Sequence, residues 1–215
     1  MIPAWRSQFT PIAVTLDEVV TFGCRGQWRW QSARQLRNMR SMRTSRVLIF
    51  VDESNVVSSV RTVNRKLDWL KLRDHLTNAE KGRELIEMVV YAGLPPAMPE
   101  WQSERDKKNK FIFWLRSHGF LVITKEGSPA EEKHYKANVD VLMAIDAVEL
   151  SVEMRPHVVV LVTGDADFAH LALQLRRRGI RVEVASVAQN LGSALRASAN
   201  EVIDLDPLFD LFEPM

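Results

Sequence analysis

The chain has 215 residues, 46% hydrophobic and 26% charged, an ordinary globular balance that excludes disorder throughout and is long enough to bury a core without staples. Its longest apolar runs, such as 158–162, fall far short of the roughly 20 residues of a membrane span, and the single cysteine, Cys24, excludes an internal disulfide framework and a multi-Cys zinc site and points to a reducing, intracellular compartment. The formal charge of +2 hides an asymmetry: residues 1–45 hold seven Arg, no Lys, one Asp and one Glu, a charge of +5, which leaves 46–215 at −3, so whole-chain charge is no argument that the body binds nucleic acid.

Residues 1–45 read as a basic N-terminal extension, poorly ordered. Arg34, Arg37, Arg40, Arg43 and Arg46 recur every third residue, with Trp28 and Trp30 just before them. Three readings stay open. One is an arm that reaches phosphates, with the Trp rings free to stack. Another is an Arg-rich targeting peptide, against which Asp17 and Glu18 speak. The third is a stretch translated from an upstream start, since Met39 and Met42 stand close to the first strand.

The body spans 46–207, with 208–215 as a C-terminal tail. The β-branched run 47–51 predicts a central strand buried on both faces, ending in Asp52. A helical stretch follows, with Leu67, Leu70, Leu72 and Leu76 apolar and Trp69 beside them. A strand over 85–91 leads to a Pro-rich loop over 93–102. Ser103 is placed to cap the third helix, with Asp106 at the capping-box position and Gly119 at C′. A strand over 120–124, a loop over 125–136 and a helix over 139–152 come next, the helix with Val141, Leu142, Ile145, Val148 and Leu150 as buried candidates. Strands at 157–162, 180–185 and 201–205 alternate with helices at 169–178 and 193–199. That alternation predicts an α/β protein, a central, mostly parallel sheet with helices on both faces.

In such a sheet, ligands bind outside the carboxyl ends of the strands. The first strand ends in Asp52-Glu53-Ser54-Asn55; the strand at 157–162 runs into Thr163-Gly164-Asp165-Ala166-Asp167-Phe168; the helix from 139 begins at Asp140. Singly, each has a bland reading as a cap or a turn, with Asn138 competing with Asp140 for the cap. Together they bring Asp52, Asn55, Asp140, Asp165 and Asp167 to one edge. Unpaired carboxylates placed together repel, and a divalent cation such as Mg²⁺, which takes oxygen ligands, resolves the conflict. Such an ion can generate hydroxide and stabilise a phosphodiester transition state. Asp146 lies about 240° round the helix from Asp140, so it reads as either a peripheral carboxylate or a surface residue. Glu53 reads as a solvated turn residue.

The ordered motifs Asp52-Glu53-Ser54-Asn55, Lys136-Ala137-Asn138-Val139-Asp140 and Thr163-Gly164-Asp165-Ala166-Asp167-Phe168 resemble the NYN domain, the LabA-like members of the PIN-like nuclease superfamily. The resemblance covers about 46–207, including Leu67-Asp68-Trp69 and the closing 199–204. It implies a Rossmann-like three-layer fold and a metal-dependent ribonuclease with Mg²⁺ or Mn²⁺. Carried over, it implies that Asp52, Asp140, Asp165 and Asp167 are metal-binding catalytic carboxylates. Asn55 would orient a carboxylate or contact substrate, Thr163 would set a hydroxyl near the scissile phosphate, and Lys136 would be a phosphate-facing cation. Two departures stand out. Glu53 occupies a position where the family usually has Gly, and the spacing from Lys136 to Asp140 is one residue longer than the commonest form.

Basic residues suggest a path for a polyanion: Arg61, Arg65 and Lys66 after the first motif, and Arg105, Lys107, Lys108 and Lys110 on the third helix. Arg176, Arg177 and Arg178 close a helix, where cations are favoured in any case. No phosphate-binding P-loop is present, and the five histidines are scattered, with His134 nearest a motif. The leading reading is a cytoplasmic endoribonuclease acting on single-stranded RNA. The alternatives are a non-catalytic regulatory or nucleic-acid-binding protein on the same fold, or a carboxylate–Mg²⁺ phosphatase-type hydrolase. No membrane partner is expected, and an exposed apolar helix face suggests a homodimer.

Overall fold

The computed structural model describes the backbone of residues 18–22, 28–32, 44–78, 82–130 and 134–215, with side chains described from Thr44 onward. The chain divides into two units, Met1–Arg43 and Thr44–Met215. In the first, β1 (Glu18–Phe22) and β2 (Trp28–Ser32) pair antiparallel, with Val20 opposite Trp30. The arginines Arg34, Arg37, Arg40 and Arg43 lie outside the described residues.

The second unit runs β3 (Ser45–Asp52), α1 (Glu53–Thr62), α2 (Trp69–Leu76), β4 (Arg83–Leu94), α3 (Gln102–Ser117) and β5 (Leu121–Glu126). The short strands β6 (Ser128–Pro129) and β7 (Tyr135–Lys136) follow, then α4 (Asp140–Met154), β8 (Val158–Val162) and α5 (Ala169–Arg177). It closes with β9 (Arg181–Ser186), α6 (Ser193–Ser198), β10 (Glu201–Asp204) and α7 (Asp206–Phe209). The six-stranded sheet has the order β10-β9-β8-β3-β4-β5, and every pairing is parallel. From β3 the chain moves outward through β4 to β5, then returns to lay β8 on the other side of β3. The topological switch therefore falls between β3 and β8, where a crevice opens at the carboxyl ends.

Both faces of the sheet are covered, which is why its central strands are continuous apolar runs. Alternate residues of β3 serve opposite cores. Val47, Ile49 and Val51 pack with Val56, Trp69, Leu72 and Leu115 on one face, and Leu48 and Phe50 pack with Met143, Ala147, Leu171 and Leu195 on the other. At the amino-terminal edge, Arg83 donates to both oxygens of buried Glu183, at 2.9 and 2.7 Å. Among the described residues no helix is long and apolar enough to cross a membrane.

Two sequence expectations are corrected, the cap of α3 and part of the buried face of α4. Ser103 does not cap α3: the 3-10 turn Pro99–Trp101 leads into the helix, Trp101 supplies no side-chain cap bond, and Asp106 accepts from Gln102 Nε2 at 2.8 Å. The fully buried face of α4 is Met143, Ala147 and Ser151; of the expected positions, Leu142, Val148 and Leu150 are partly buried against the core, whereas Val141 and Ile145 are 60% and 51% exposed. Apolar residues occupy more than one side of that helix, so periodicity alone does not fix which of them is most buried. The segment 208–215, expected as a C-terminal tail, packs on the body. Leu208, Phe209 and Phe212 are buried, Lys66 N donates to Glu213 O at 2.8 Å, and Arg65 bridges Pro214. Gly119 stands at C′ of α3 with φ +81°, as its position in the sequence predicts.

Candidate active site

Asp52 ends β3 and also begins α1. Its Oδ1 accepts from Asn55 N at 3.2 Å, a helix N-cap, and from Ser54 Oγ at 2.8 Å. The cap reading of Asp52 is thus correct as far as one oxygen goes. The residue is only 4% exposed. Burial raises its carboxyl above the ordinary carboxylate range; the bonds from Ser54 and Asn55 pull it down, and the negative charges of Asp140 and Glu53 push it up again. The charged groups acting on this buried acid are both anions, and among the described residues no cation pairs with it.

Asp140 opens α4 without capping it. Val139 occupies the N-cap position and makes no side-chain cap bond, and Asn138 is exposed. The capping alternatives for Asp140 and Asn138 therefore do not hold, and the Asp140 carboxylate is felt at Asp52. Asn55 joins the two sides of the switch: its Oδ1 accepts from Gly164 N at 2.9 Å, tying α1 to the turn after β8. Gly164 is required by close approach, since a Cβ there would lie 2.2 Å from Asn190 O.

The turn after β8 is organised by its own side chains. Asp165 Oδ1 accepts from Asp167 N at 2.9 Å, and Thr163 Oγ1 accepts from Asp165 N at 3.2 Å. Thr163 is 1% exposed, and its hydroxyl oxygen takes part in the turn as an acceptor. Asp167 and Lys136 are exposed, and Asp165 is half-buried. The edge thus brings Asp52 and Asp140 together, places Asp165 and Asp167 in one turn, and joins the two pairs through Asn55. Among the described residues, no three His, Cys, Asp or Glu side chains are gathered closely enough to hold a metal ion.

Two carboxylates read as marginal have definite partners. Glu53 is not a solvated turn residue: it is buried, and Lys108 Nζ on α3 lies 2.7 Å from its Oε2. Asp146 accepts from Tyr91 OH at 2.9 Å, and Tyr91 stands opposite Asp52 in the β3–β4 register. Burial, then the bond to Asp146, pushes the Tyr91 phenol far up. Asp146 is therefore peripheral, one residue removed from the edge.

Ser54 and Tyr91 are neighbours that sequence reasoning missed, as is the pairing of Lys108, read only as part of a basic path, with Glu53. Ser54 carries a signal, a short donor two residues after a buried acid; Lys108, 55 residues from Glu53, carries none. Of the other basic residues, Arg105 donates to Pro95 O and to Glu126, Arg176 to Ser198 O and Arg178 to Gln174 O. Those bonds make the arginines structural, while Lys107 and Lys110 are exposed.

A divalent cation fits the donor set of Asp52 and Asp140. Mg²⁺ needs only one or two carboxylates beside waters and substrate oxygens, and it would balance the charge on buried Asp52.

Comparison with known proteins agrees with the fold. The NYN domain matches over residues 46–206. The protein LabA ("low amplitude and bright") of Synechococcus elongatus is 25% identical over 179 residues, covering 80% of this chain and 90% of that protein. A crystal structure of a protein of unknown function from Vibrio parahaemolyticus superposes with a TM-score of 0.60 at 24% identity, over 76% of this chain and 94% of that one, and shares its fold. With the domain match running from the first residues of β3 to α7, the chain belongs to the NYN domain family, whose members are generally nucleases, and that membership supports a nuclease-type function.

Proposed function

We propose that the protein is a metal-dependent endoribonuclease that hydrolyses phosphodiester bonds of single-stranded RNA in the cytoplasm, using Mg²⁺ or Mn²⁺. The observation that carries the reading is the state of Asp52: a carboxylate 4% exposed at the β3–β8 switch, acted on by Asp140 and Glu53 and by no cation among the described residues. A bound divalent ion would supply a Lewis acid and an activated water at neutral pH. Asp52 and Asp140 would hold it. Ser54 and Asn55 fix the Asp52 carboxylate through its Oδ1, and Asn55 sets the β8 turn against α1. Asp165 and Asp167, on that turn, would complete the acidic edge from the opposite side as substrate enters. Lys136, exposed on β7, is available to a phosphate.

The test is cleavage of labelled single-stranded RNA with Mg²⁺ or Mn²⁺, comparing wild type with Asp165→Asn and with EDTA. Activity that disappears in both controls supports the reading. A second reading, a regulatory nucleic-acid-binding protein on this fold, is favoured by the split of the four carboxylates into two pairs. Equal inactivity of wild type and Asp165→Asn on several RNAs with both metals would decide for it. A homodimer, if formed, would use the outer face of α4, where Val141, Ile145 and Val152 are exposed.

A further inference from the structure

A groove of about 1020 Å³ runs between α1 and α3, from Glu53 and Tyr135 at the carboxyl edge toward Trp69 and the C-terminal segment. Its volume lies at the top of the roughly 300–1,000 Å³ of sites for single small molecules. Its walls are largely apolar, and the aromatic rings among them are held rigidly. Phe111 is braced by Trp69 at 5.7 Å between ring centres, and Trp114, 37% exposed, has His118 stacked against it at 4.1 Å. The rim carries exposed cations from three segments: Arg61 on α1, Lys66 after it and Lys107 on α3. Two of the rim acids are already neutralised, Glu53 by Lys108 and Asp68 by Lys71 at 3.5 Å, which leaves Glu104 and Glu213 against those cations.

We propose that this groove binds the bases of a single-stranded nucleic acid that extends from the acidic edge, with Trp114 and Phe111 as stacking walls and Arg61 and Lys107 on its phosphates. The inference rests on the nuclease reading for its direction, since Glu53 directly follows Asp52 and Tyr135 directly precedes Lys136. An apolar trough with cations on both banks suits a chain whose bases are flat and whose backbone is charged. It suits a neutral or basic partner poorly. Lys108 also lies 5.5 Å from the Phe111 ring centre, so the ion pair with Glu53 forms the end wall between trough and edge.

The test measures binding of a fluorescent single-stranded RNA oligonucleotide to the full chain in EDTA. Trp114→Ala is expected to weaken binding about tenfold, the order reported for loss of one base–aromatic stack. The double variant Arg61→Ala/Lys107→Ala, in which both side chains are exposed and folding is spared, is expected to lower the slope of log affinity against log salt by about 1.4. An oligonucleotide carrying 5-iodouridine is expected to crosslink within 102–117. Unchanged affinity, slope and crosslinks in both variants overturn the inference. So does an unchanged RNA affinity with an altered sedimentation mass, which would assign the groove to a second copy of the chain. Cleavage lost in Asp165→Asn but normal in the groove variants sinks this inference alone. Binding through the groove without cleavage by any metal sinks the nuclease reading alone, and absence of any RNA binding sinks both.

Discussion

Lys108 Nζ lies 2.7 Å from Glu53 Oε2, and this contact joins α3 to the first turn of α1 beside Asp52. It is a nearly buried pair, with 17% and 10% of the two side chains exposed. Lys108→Met strands the carboxylate of Glu53. The expected loss is about 2–3 kcal/mol, below the roughly 3–5 kcal/mol of a fully buried pair because water still reaches Lys108. The double variant Lys108→Met/Glu53→Gln is expected to recover most of that loss in urea unfolding. If the single and double variants unfold at the same midpoint, the pair contributes nothing.

Asp52 costs the metal-free protein stability at neutral pH. Its folded pKa lies above the unfolded value of 3.8, so the native state binds more protons than the unfolded one as pH rises from there. Stability therefore falls between pH 3.8 and the raised folded pKa and stays low above it. Asp52→Asn keeps a capping oxygen but never ionises. It is expected to raise the Tm of the metal-free protein at pH 7 and to remove this part of the pH dependence. A wild-type Tm that does not fall over this interval relative to the variant would contradict the assignment.

Divalent metal should reverse that order. An ion that binds the folded state alone stabilises by RT ln(1 + [L]/Kd), about 2.7 kcal/mol at a hundredfold excess over Kd. Mn²⁺ is expected to raise the Tm of wild type and of Asp167→Asn, and to leave Asp52→Asn and Asp140→Asn unmoved. Calorimetric scans with and without metal decide this without reference to activity.

Asn55 is expected to matter more for cleavage than for folding. Asn55→Ala removes the acceptor for Gly164 N, a loss of about 1–2 kcal/mol for a part-buried bond. Cleavage should fall at least tenfold while RNA affinity holds, because the β8 turn would no longer be fixed to α1. Equal losses in affinity and rate would argue against this positioning role.

Removing residues 208–215 is expected to abolish folding. Phe209 and Phe212 are 0% and 2% exposed, and burial of each side chain is worth about 1.5–3 kcal/mol. Phe209→Ala alone should cost about 3–5 kcal/mol. A truncated chain with cooperative thermal unfolding would contradict the packing described.

The strands were legible because a parallel sheet covered on both faces demands continuous β-branched runs, and 47–51 and 158–162 are such runs. The acidic edge was legible because Asp52 and Asp165 follow those runs directly. Glu53 was misread because its partner lies on another helix, and no local pattern reports a contact of that range. The phase of α4 was misread because Val141 and Ile145 are as apolar as Met143 and Ala147. Thr163 is expected from its motif to set a hydroxyl near substrate, and its Oγ1 also accepts from Asp165 N in the turn it begins.

The pairing of β3 with β8 has a kinetic consequence. Arg46 N donates to His157 Nδ1 at 3.0 Å across 111 residues, and Val47 pairs with Val158 just inside it. Contacts of such range are slow to form, because chain entropy is lost before the pairing returns anything. A chain still emerging from the ribosome can carry Asp52 and β4 while β8 is unmade. The acidic edge then has one bank only, and its two halves meet late, as the last central strand docks. Assembly of the candidate site is thus tied to completion of the sheet.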